Sequence, residues 1–245
     1  MKYFKIVVLF VIMQFLSCKE ITNEQKGSDF NENVSVAKGN FDFLPTSTSN
    51  DVYTNDAYSF SYIEDYEQSE WVAYELTSKD MTNADYKRPY FNQDKSVKTK
   101  SADWRNYKNS GYNKGHLCPA ADRKSSYEMY ETTFLTSNAS PQLYDFNSGI
   151  WNRLEQKTRY WATRYDGVYI VTGGVLEEGL KTIGTEDVAV PNYFYKIILT
   201  KDKSNMIGFL VPHKDSNKPL YSFVVPVDEI EKMTGIDFFS ALSDD

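Results

Sequence analysis

A short segment around one histidine decides the fold of this chain: Gly111-Tyr112-Asn113-Lys114-Gly115-His116-Leu117-Cys118-Pro119-Ala120-Ala121-Asp122-Arg123. Asn147 follows His116 by 31 positions, and Glu155 comes shortly after it. An imidazole titrates near neutral pH, so a histidine in such a segment is a candidate general base. The segment therefore indicates a catalytic site as well as a fold.

The choice of histidine is narrow, because the chain contains only His116 and His213. His213 lies at the end of an apolar strand-like run, Val211-Pro212-His213-Lys214. A histidine beside a glycine, taken alone, is more often a satisfied turn residue than a base. The residues around His116 favour catalysis over that alternative.

Charge along the chain is uneven. With 27 basic and 34 acidic residues the net charge is −7, which by itself argues against a nucleic-acid partner. Between Lys87 and Lys124, however, ten basic residues stand against three acidic ones, a local charge of +7. A solvated charged surface is the alternative reading, but the overlap of this basic block with the histidine segment favours a polyanionic substrate.

These groups fit one kind of chemistry. Cleavage of a phosphodiester needs a base to deprotonate water, a divalent cation on the phosphate oxygens, and cationic side chains that offset the developing charge. All three kinds of group occur in this region, so a metal-dependent nuclease is expected. Neither histidine has a serine or cysteine context that would indicate an acyl-transfer triad.

The first residues predict export. Lys2 and Lys5 precede an apolar run from Ile6 to Leu16, the pattern of a signal peptide and shorter than the about 20 residues that span a bilayer. Phe15-Leu16-Ser17-Cys18 resembles a bacterial lipobox, so Cys18 is predicted to carry lipid and to anchor the protein in the bacterial cell envelope, at the outer membrane on its periplasmic or surface face. Phenylalanine replaces the commoner leucine, which leaves secretion or a soluble periplasmic protein as the alternative.

The predicted organisation has three parts: a lipoprotein signal peptide over residues 1–17, a lipid-anchored polar tether over residues 18–55, and one folded domain over residues 56–245. Beyond Cys18 the only cysteine is Cys118, so no internal disulfide is expected if Cys18 carries lipid. Cys118 is interpreted as a small buried thiol. With 19 Tyr, 15 Phe and 4 Trp the chain has ample apolar surface for one core.

Hydrophobic patterns predict a mixed α+β domain with a largely antiparallel sheet. Two helices are expected, from Gly149 to about Arg164 and over 227–234, the second with an N-cap aspartate and a terminating Gly235. Five strands are expected: Tyr58–Tyr62 and Trp71–Leu76 as a hairpin, then Val168–Thr172, Tyr193–Leu199 and Met206–Val211.

Three ordered blocks resemble one family. They are Asn113-Lys114-Gly115-His116, the run from Thr133 to Gln142, and Asn147-Ser148-Gly149-Ile150-Trp151-Asn152-Arg153-Leu154-Glu155. From about Tyr58 to Leu242 the chain is similar to the DNA/RNA non-specific endonucleases, the group of the Serratia nuclease and endonuclease G. The resemblance implies a ββα-metal (His-Me finger) nuclease fold, with a central mostly antiparallel sheet and flanking helices, and a possible homodimer.

The resemblance also implies roles. His116 is the general base, and Asn147 is the one protein ligand of Mg²⁺, for which Mn²⁺ is a possible substitute. Glu155 orients water of the metal's hydration shell, Arg159 contacts the phosphate, and Arg88 helps to stabilise the transition state. Taken without the resemblance, Asn147 is a plain helix N-cap, and Glu155 with Arg159 is a surface ion pair at i,i+4.

Two residues depart from the family motif, usually written Asp-Arg-Gly-His. Asn113 replaces the aspartate and keeps only amide hydrogen bonding, while Lys114 keeps a charge for phosphate but loses the bidentate fork of arginine. We expect an Mg²⁺-dependent endonuclease that acts on DNA and RNA with little sequence or sugar specificity. The alternatives are a catalytically weakened nuclease-fold lipoprotein that binds nucleic acid, and a phosphodiesterase with a small substrate.

Overall fold

A computed structural model describes residues 44–242 of the chain. The predicted signal peptide, Cys18 and most of the predicted tether lie outside the described residues, as do residues 243–245. Over residues 44–242, no helix combines the length and the apolar character needed to cross a membrane.

The described part contains eleven strands and four α-helices. The strands are β1 (Val52–Thr54), β2 (Ser59–Ile63), β3 (Gln68–Leu76), β4 (Asn113–His116), β5 (Ala139–Gln142), β6 (Val168–Gly174), β7 (Lys181–Ile183), β8 (Val188–Val190), β9 (Tyr193–Thr200), β10 (Met206–Pro212) and β11 (Val224–Val225). The helices are α1 (Tyr127–Thr132), α2 (Tyr144–Phe146), α3 (Asn152–Arg164) and α4 (Val227–Thr234). The mixed α+β class is confirmed.

Seven strands form one antiparallel sheet in the order β1-β2-β3-β6-β9-β10-β11. The predicted hairpin is present as β2 and β3, with a register shift at Ser61/Tyr62. The other three predicted strands are β6, which is the central strand of the sheet, and β9 and β10, which follow it in the strand order. Two short hairpin-like sheets, β4-β5 and β7-β8, were not expected from the hydrophobic pattern.

Both faces of the sheet are covered, and side chains alternate between them. Along β9, Phe194 and Ile198 join the core cluster that also contains Leu154 of α3, whereas Tyr195 and Ile197 join the cluster that contains Ile230 of α4. This alternation follows from the two-residue period of a strand. The two long helices therefore lie on opposite faces, and the predicted catalytic segment belongs to the α3 face.

The boundary of the tether at residue 55 is wrong, because residues from Leu44 onward belong to the folded unit. Strand β1 pairs with β2. The carbonyl of Thr46 accepts a hydrogen bond of 2.9 Å from the Trp71 indole, and Thr48 donates both its backbone N–H and its hydroxyl to the buried Glu70 at 3.0 and 2.6 Å. The polar composition of this segment had predicted a tether, but the N–H and hydroxyl of Thr48 form hydrogen bonds with the buried carboxylate of Glu70.

The helix ends differ in detail from the prediction. Helix α4 follows Pro226, which makes no side-chain cap, so Asp228 lies inside the first turn and is not the N-cap. Gly235 ends this helix with φ of 71°, as expected for a left-handed terminating glycine. Helix α3 begins at Asn152 instead of Gly149, and the residues before it form a π-helical turn over Asn147–Trp151.

The aromatic core beneath the α3 face should be a main source of stability. Phe146 is fully buried, and its ring lies 5.5 Å from that of Trp151 and 5.2 Å from that of Phe194. We expect Phe146→Ala to lower the free energy of unfolding by about 3–5 kcal/mol, because it removes the ring and leaves a cavity. Urea denaturation followed by tryptophan fluorescence measures this. Tyr221→Ala, which truncates a ring that is 77% exposed, is the matched control and should change the stability little.

Candidate active site

The β4-β5 hairpin presents His116. Residues of β4 pair antiparallel with β5, with His116 opposite Ala139. Just beyond the hairpin, the buried Asn138 side chain accepts from the Cys118 N–H at 2.7 Å and donates to the carbonyls of Cys118 and Thr133, both at 2.9 Å. The backbone on the C-terminal side of His116 is thus held by hydrogen bonds to the second family-like block.

Gly115 is required by a close approach. A Cβ atom at this position would lie 2.1 Å from Oε1 of Gln142, whose side chain is buried and makes no hydrogen bond to the described residues. A glycine before His116 therefore lets the Gln142 side chain of β5 pack directly against the backbone.

The ring of His116 packs against two phenylalanines, with centroids 5.1 Å from Phe91 and 4.9 Å from Phe134. The residue keeps partial exposure, but its Nε2 is buried and has no hydrogen-bond partner within residues 44–242. Burial, assisted by the nearby Arg88 guanidinium, lowers the pKa of His116 from 6.5 to about 3. The imidazole is consequently neutral at neutral pH and can accept a proton.

A cleft of about 790 Å³ lies beside this ring. Its lining includes Phe91, which contacts His116, together with Arg88, Asn113, Lys114 and Asn147. Burial and the charge of Arg88 lower the pKa of Lys114. The structure thus brings two of the predicted phosphate-binding cations and the predicted metal ligand together in one concave surface.

The basic block does not form one surface. Arg123 is buried, and its guanidinium donates to the carbonyls of Ala57, Glu75 and Asp122. Lys98 forms an ion pair with Asp51. Only part of the +7 stretch therefore faces the cleft, and the sequence could not distinguish a structural arginine from a substrate-binding one.

Asn147 is not a helix N-cap. Its backbone is helical, with φ of −62° and ψ of −49°, and it opens a π-helical turn, Asn147–Trp151, between α2 and α3. Gly149 leaves helical geometry inside this turn, with φ of −93° and ψ of −107°. The Asn147 side chain makes no hydrogen bond to residues 44–242, so its amide oxygen is free to bind a ligand.

His213 has a structural role. Its Nε2 accepts from the backbone N–H of Leu143 at 2.8 Å, and its Nδ1 donates to the carbonyl of Pro191 at 2.8 Å. Burial lowers its pKa, so the ring is neutral and suits both bonds. His213 thereby holds the start of the segment that leads into Asn147, and it is not a second base.

Glu155 and Arg159 do not form the i,i+4 ion pair that was the alternative to their catalytic roles. Arg159 donates to Oδ1 of the buried Asp122 at 2.9 Å, and the Tyr74 hydroxyl donates to the other oxygen of Asp122 at 2.9 Å. Asp122 lies in the histidine segment, so this ion pair ties that segment to α3. Apart from its position in the segment around His116, nothing in the sequence predicted this role of Asp122.

Glu155 instead interacts electrostatically with Lys196, a buried lysine for which the sequence predicted no role. Lys196 is fully buried in β9, and Glu155 is the attractive charge that acts most strongly on it. Burial raises the pKa of Glu155, and Lys196 opposes that rise. A single lysine inside the apolar run Tyr193–Leu199 was the available signal, because a charge in a central strand is rarely left without a counter-charge.

Cys118 is a buried residue between His116 and Asp122 in the chain. It follows His116 by two residues, is fully buried with a free thiol, and lies near the charges of Glu155 and Asp122. Burial raises the pKa of this thiol to about 12. It is thus an inert packing residue, as expected, since the reactive form of cysteine is the thiolate.

The cleft offers a hydrated divalent ion one protein oxygen, the side-chain amide oxygen of Asn147. Within the described residues, no three His, Cys, Asp or Glu side chains are arranged to hold a metal, which leaves no ordinary zinc ligand set there. Mg²⁺ keeps several waters and often takes only one or two protein oxygens plus phosphates. The free amide of Asn147, in a cleft with room for water, meets that requirement.

Comparisons with known proteins agree with this arrangement. A family model described as DNA/RNA non-specific endonuclease matches residues 40–245. The mitochondrial nuclease EXOG of Danio rerio is 34% identical over 238 residues, which cover 89% of this chain and 69% of that protein. A nuclease of Nostoc sp. is 32% identical over 220 residues, which cover 81% of this chain and 77% of that protein. Among the EXOG relatives from fish, frog, mouse and human, the matched region spans 54–69% of their length.

A solved structure extends the agreement to three dimensions. The crystal structure of the EndoG/EndoGI complex, which concerns the inhibition of EndoG, matches with a TM-score of 0.73 and 29% identity, over 78% of this chain and 86% of that one. The predicted nuclease fold is thereby confirmed. Since the family model also spans every residue that builds the site, this chain belongs to the DNA/RNA non-specific endonuclease family.

Proposed function

We propose that this protein is an Mg²⁺-dependent endonuclease that hydrolyses DNA and RNA, with His116 as the general base. The observation that carries the proposal is a neutral histidine with an unpartnered buried nitrogen, placed beside a cleft that two cations and a free amide line. A buried polar atom without a partner is uncommon in a folded protein and points to a missing water or ligand.

His116 takes the proton from the attacking water. The water oxygen forms a bond to phosphorus, the ester bond to the leaving oxygen breaks, and that oxygen takes a proton from solvent. The low pKa keeps the imidazole unprotonated before substrate binds. A phosphate anion in the cleft raises the basicity of the ring, because a nearby negative charge favours the imidazolium.

Arg88 and Lys114 bind the phosphate. Neither side chain takes part in an ion pair within residues 44–242, so both charges are available to an anion. Arg159 uses one guanidinium nitrogen for Asp122 and keeps its other donors for a phosphate oxygen. Contacts to phosphates carry no base identity, which accounts for low sequence specificity.

Asn147 would hold the magnesium ion, and Glu155 would accept hydrogen bonds from water near it. When bound, the ion polarises the phosphate and stabilises negative charge in the transition state. Mn²⁺ should substitute, since it also accepts oxygen ligands. The chain would contribute a single neutral ligand, the amide oxygen of Asn147, from the π-helical turn Asn147–Trp151.

For its location, we propose the bacterial cell envelope, with a lipid on Cys18. The support is the apolar run of the first 17 residues followed by the lipobox-like Phe15-Leu16-Ser17-Cys18. Metabolic labelling with a palmitate analogue tests it, and Cys18→Ser should abolish the label. Labelling that persists in the variant would exclude Cys18 as the lipidated residue.

Loss of the base should remove most activity. We expect His116→Ala to slow cleavage of supercoiled plasmid and of RNA by about 10²–10⁴-fold, the usual contribution of a general base. EDTA should stop cleavage by the wild-type protein, and Mg²⁺ should restore it. The control is Lys232→Ala, because Lys232 lies on α4, on the opposite face of the sheet.

A folded wild-type protein that shifts DNA on a gel but cuts neither substrate would overturn the nuclease proposal. That result would favour the alternative of a nucleic-acid-binding protein on a nuclease fold. Cutting that survives in His116→Ala would show that another group is the base.

Restoring the family motif should improve turnover. We expect Asn113→Asp combined with Lys114→Arg to raise the cleavage rate by several-fold, because the guanidinium donates two parallel hydrogen bonds to a phosphate. Steady-state rates on plasmid and RNA provide the measurement. An unchanged rate in the folded double variant would mean that neither position limits the reaction.

Binding should weaken with salt. If Arg88 and Lys114 make about two phosphate contacts, a change from 50 to 200 mM salt should weaken binding of DNA by about tenfold. The catalytically impaired His116→Ala variant allows the measurement by fluorescence anisotropy. Lys114→Gln should lower the slope of log affinity against log salt by about one, whereas Lys232→Ala should leave it unchanged. A slope that is equal in all three proteins would show that Lys114 does not contact phosphate.

A further inference from the structure

Exposed aromatic rings line the cleft beside His116, and the hydrolysis proposed above does not use them. Tyr90, Trp104 and Tyr144 belong to the lining and are 91%, 39% and 69% exposed. Single exposed rings are common on protein surfaces, but several exposed rings in one concavity mark a binding site. These three rings therefore point to a part of the ligand other than its phosphates.

The faces of these rings are available to a ligand. Within residues 44–242, the side chains of Tyr90 and Tyr144 make no hydrogen bond and no contact with another aromatic ring. The Trp104 ring has the guanidinium of Arg105 5.9 Å from its centre. Since the protein leaves so much of these apolar rings in water, a planar ligand that covers them would gain binding free energy.

The backbone holds two of the rings in fixed positions. Asn92, two residues after Tyr90, makes backbone hydrogen bonds of 3.0 and 2.9 Å with residues 134 and 136. Tyr144 is the first residue of α2, and the backbone N–H just before it donates to His213 at 2.8 Å. A ring on a fixed backbone loses little conformational freedom when a ligand binds, which favours affinity.

The charge of the cleft identifies the class of ligand. Arg88 and Lys114 line the same cleft, and neither takes part in an ion pair within residues 44–242. The Lys114 ammonium lies 5.6 Å from the ring centre of Phe91, the neighbour of Tyr90 in the chain. Cations for the phosphates together with aromatic faces for the bases are the combination that binds single-stranded nucleic acid. A duplex offers such rings no base face, because its bases are already stacked and paired.

We propose that Tyr90, Trp104 and Tyr144 form a stacking subsite for unpaired bases, so that this protein binds and cuts single-stranded DNA and RNA in preference to duplex. The preference in cutting rests on the proposed function, whereas the stacking does not. Every base has an aromatic face, so the subsite is compatible with low sequence specificity. The phosphates of the stacked strand would lie against Arg88 and Lys114.

Binding in the absence of cleavage is the first measurement. The full-length protein in EDTA is titrated, with fluorescence anisotropy as the readout, against an oligothymidylate, a fully abasic oligonucleotide of the same length, and a duplex of that length. The abasic strand keeps the phosphates and sugars but has no base. We expect the oligothymidylate to bind at least about fivefold more tightly than the abasic strand, the lower value for stacking of one base on an aromatic side chain.

Variants separate stacking from charge. Tyr90→Ala combined with Tyr144→Ala should weaken binding of the oligothymidylate by about fivefold or more and leave the abasic strand and the duplex unchanged. Tyr90→Phe combined with Tyr144→Phe keeps both ring faces and should bind as the wild type does. Tyr221→Ala is the matched control, because its ring is 77% exposed and does not line the cleft. Lys114→Gln should weaken binding of all three probes alike, since a phosphate contact does not depend on the base.

Trp104 provides an optical measurement of the same contact. A base stacked on an indole ring quenches its fluorescence. We expect the oligothymidylate to quench the tryptophan emission of the protein more than the abasic strand does. Trp104→Phe should remove this difference while it retains an aromatic face for binding.

Cleavage then tests the preference. With Mg²⁺, the wild-type protein should have a higher kcat/KM on single-stranded DNA than on duplex of the same sequence. The double alanine variant should raise the KM for the single strand and leave cleavage of the duplex unchanged. A protein that shows the expected binding pattern but cuts neither substrate would remove the nuclease proposal and leave the stacking subsite intact.

Three results would overturn the inference. The first is equal affinity for the oligothymidylate and the abasic strand, or no measurable binding of either. The second is a loss in the double alanine variant that is as large for the duplex as for the single strand, since the tyrosines would then make a contact common to all nucleic acids. The third is an active wild-type enzyme whose kcat/KM on duplex equals or exceeds that on the single strand.

Discussion

The geometry of the site depends on the side-chain amide of Asn138. It bonds both the N–H and the carbonyl of Cys118 and also reaches the carbonyl of Thr133, so one buried residue joins three backbone groups. His116 lies two residues before Cys118, and β5 begins immediately after Asn138. An apolar residue of similar size would leave those backbone groups unpaired in the interior, at a cost of about 1–3 kcal/mol for each group. The position of His116 is thus fixed by backbone hydrogen bonding.

Around this rigid hairpin the protein buries charges that a stability argument alone would not select. Asp122, Arg123 and Lys196 are all nearly or fully inaccessible to solvent. The guanidinium of Arg123 is satisfied by backbone carbonyls, and Asp122 is satisfied by Arg159 and Tyr74. Of these three side chains, that of Lys196 alone makes no hydrogen bond within residues 44–242. Since buried pairs seldom add net stability, the unsatisfied member is the one whose retention most needs a functional reason.

The sequence predicted those parts of the fold that follow from local periodicity. Strands β2, β3, β6, β9 and β10 and helices α3 and α4 each show a hydrophobic pattern, and the β2-β3 hairpin was recognised from its two runs. The strand β1 was not predicted, because the residues around it are polar and such a composition is typical of a tether. In the structure, hydroxyl groups from this segment donate hydrogen bonds to the buried Glu70. For the site, the motif identified His116 and Asn147, but it could not predict the partner of Arg159. Asp122 and Lys196 reach the site only through tertiary packing, for which one sequence offers no spacing rule.

The neutral state of His116 links the fold to the chemistry. Arg88 and Lys114 line the same cleft, and none of the ion pairs within residues 44–242 involves either of them. Burial of the ring opposes a positive charge on His116, and the charge of Arg88 acts in the same direction. In the proposed reaction, an anion in the cleft would reverse the electrostatic part of this effect, because it would compensate both cations and stabilise an imidazolium at His116. The arrangement that keeps His116 unprotonated before an anion binds would therefore favour its protonation in the proposed reaction.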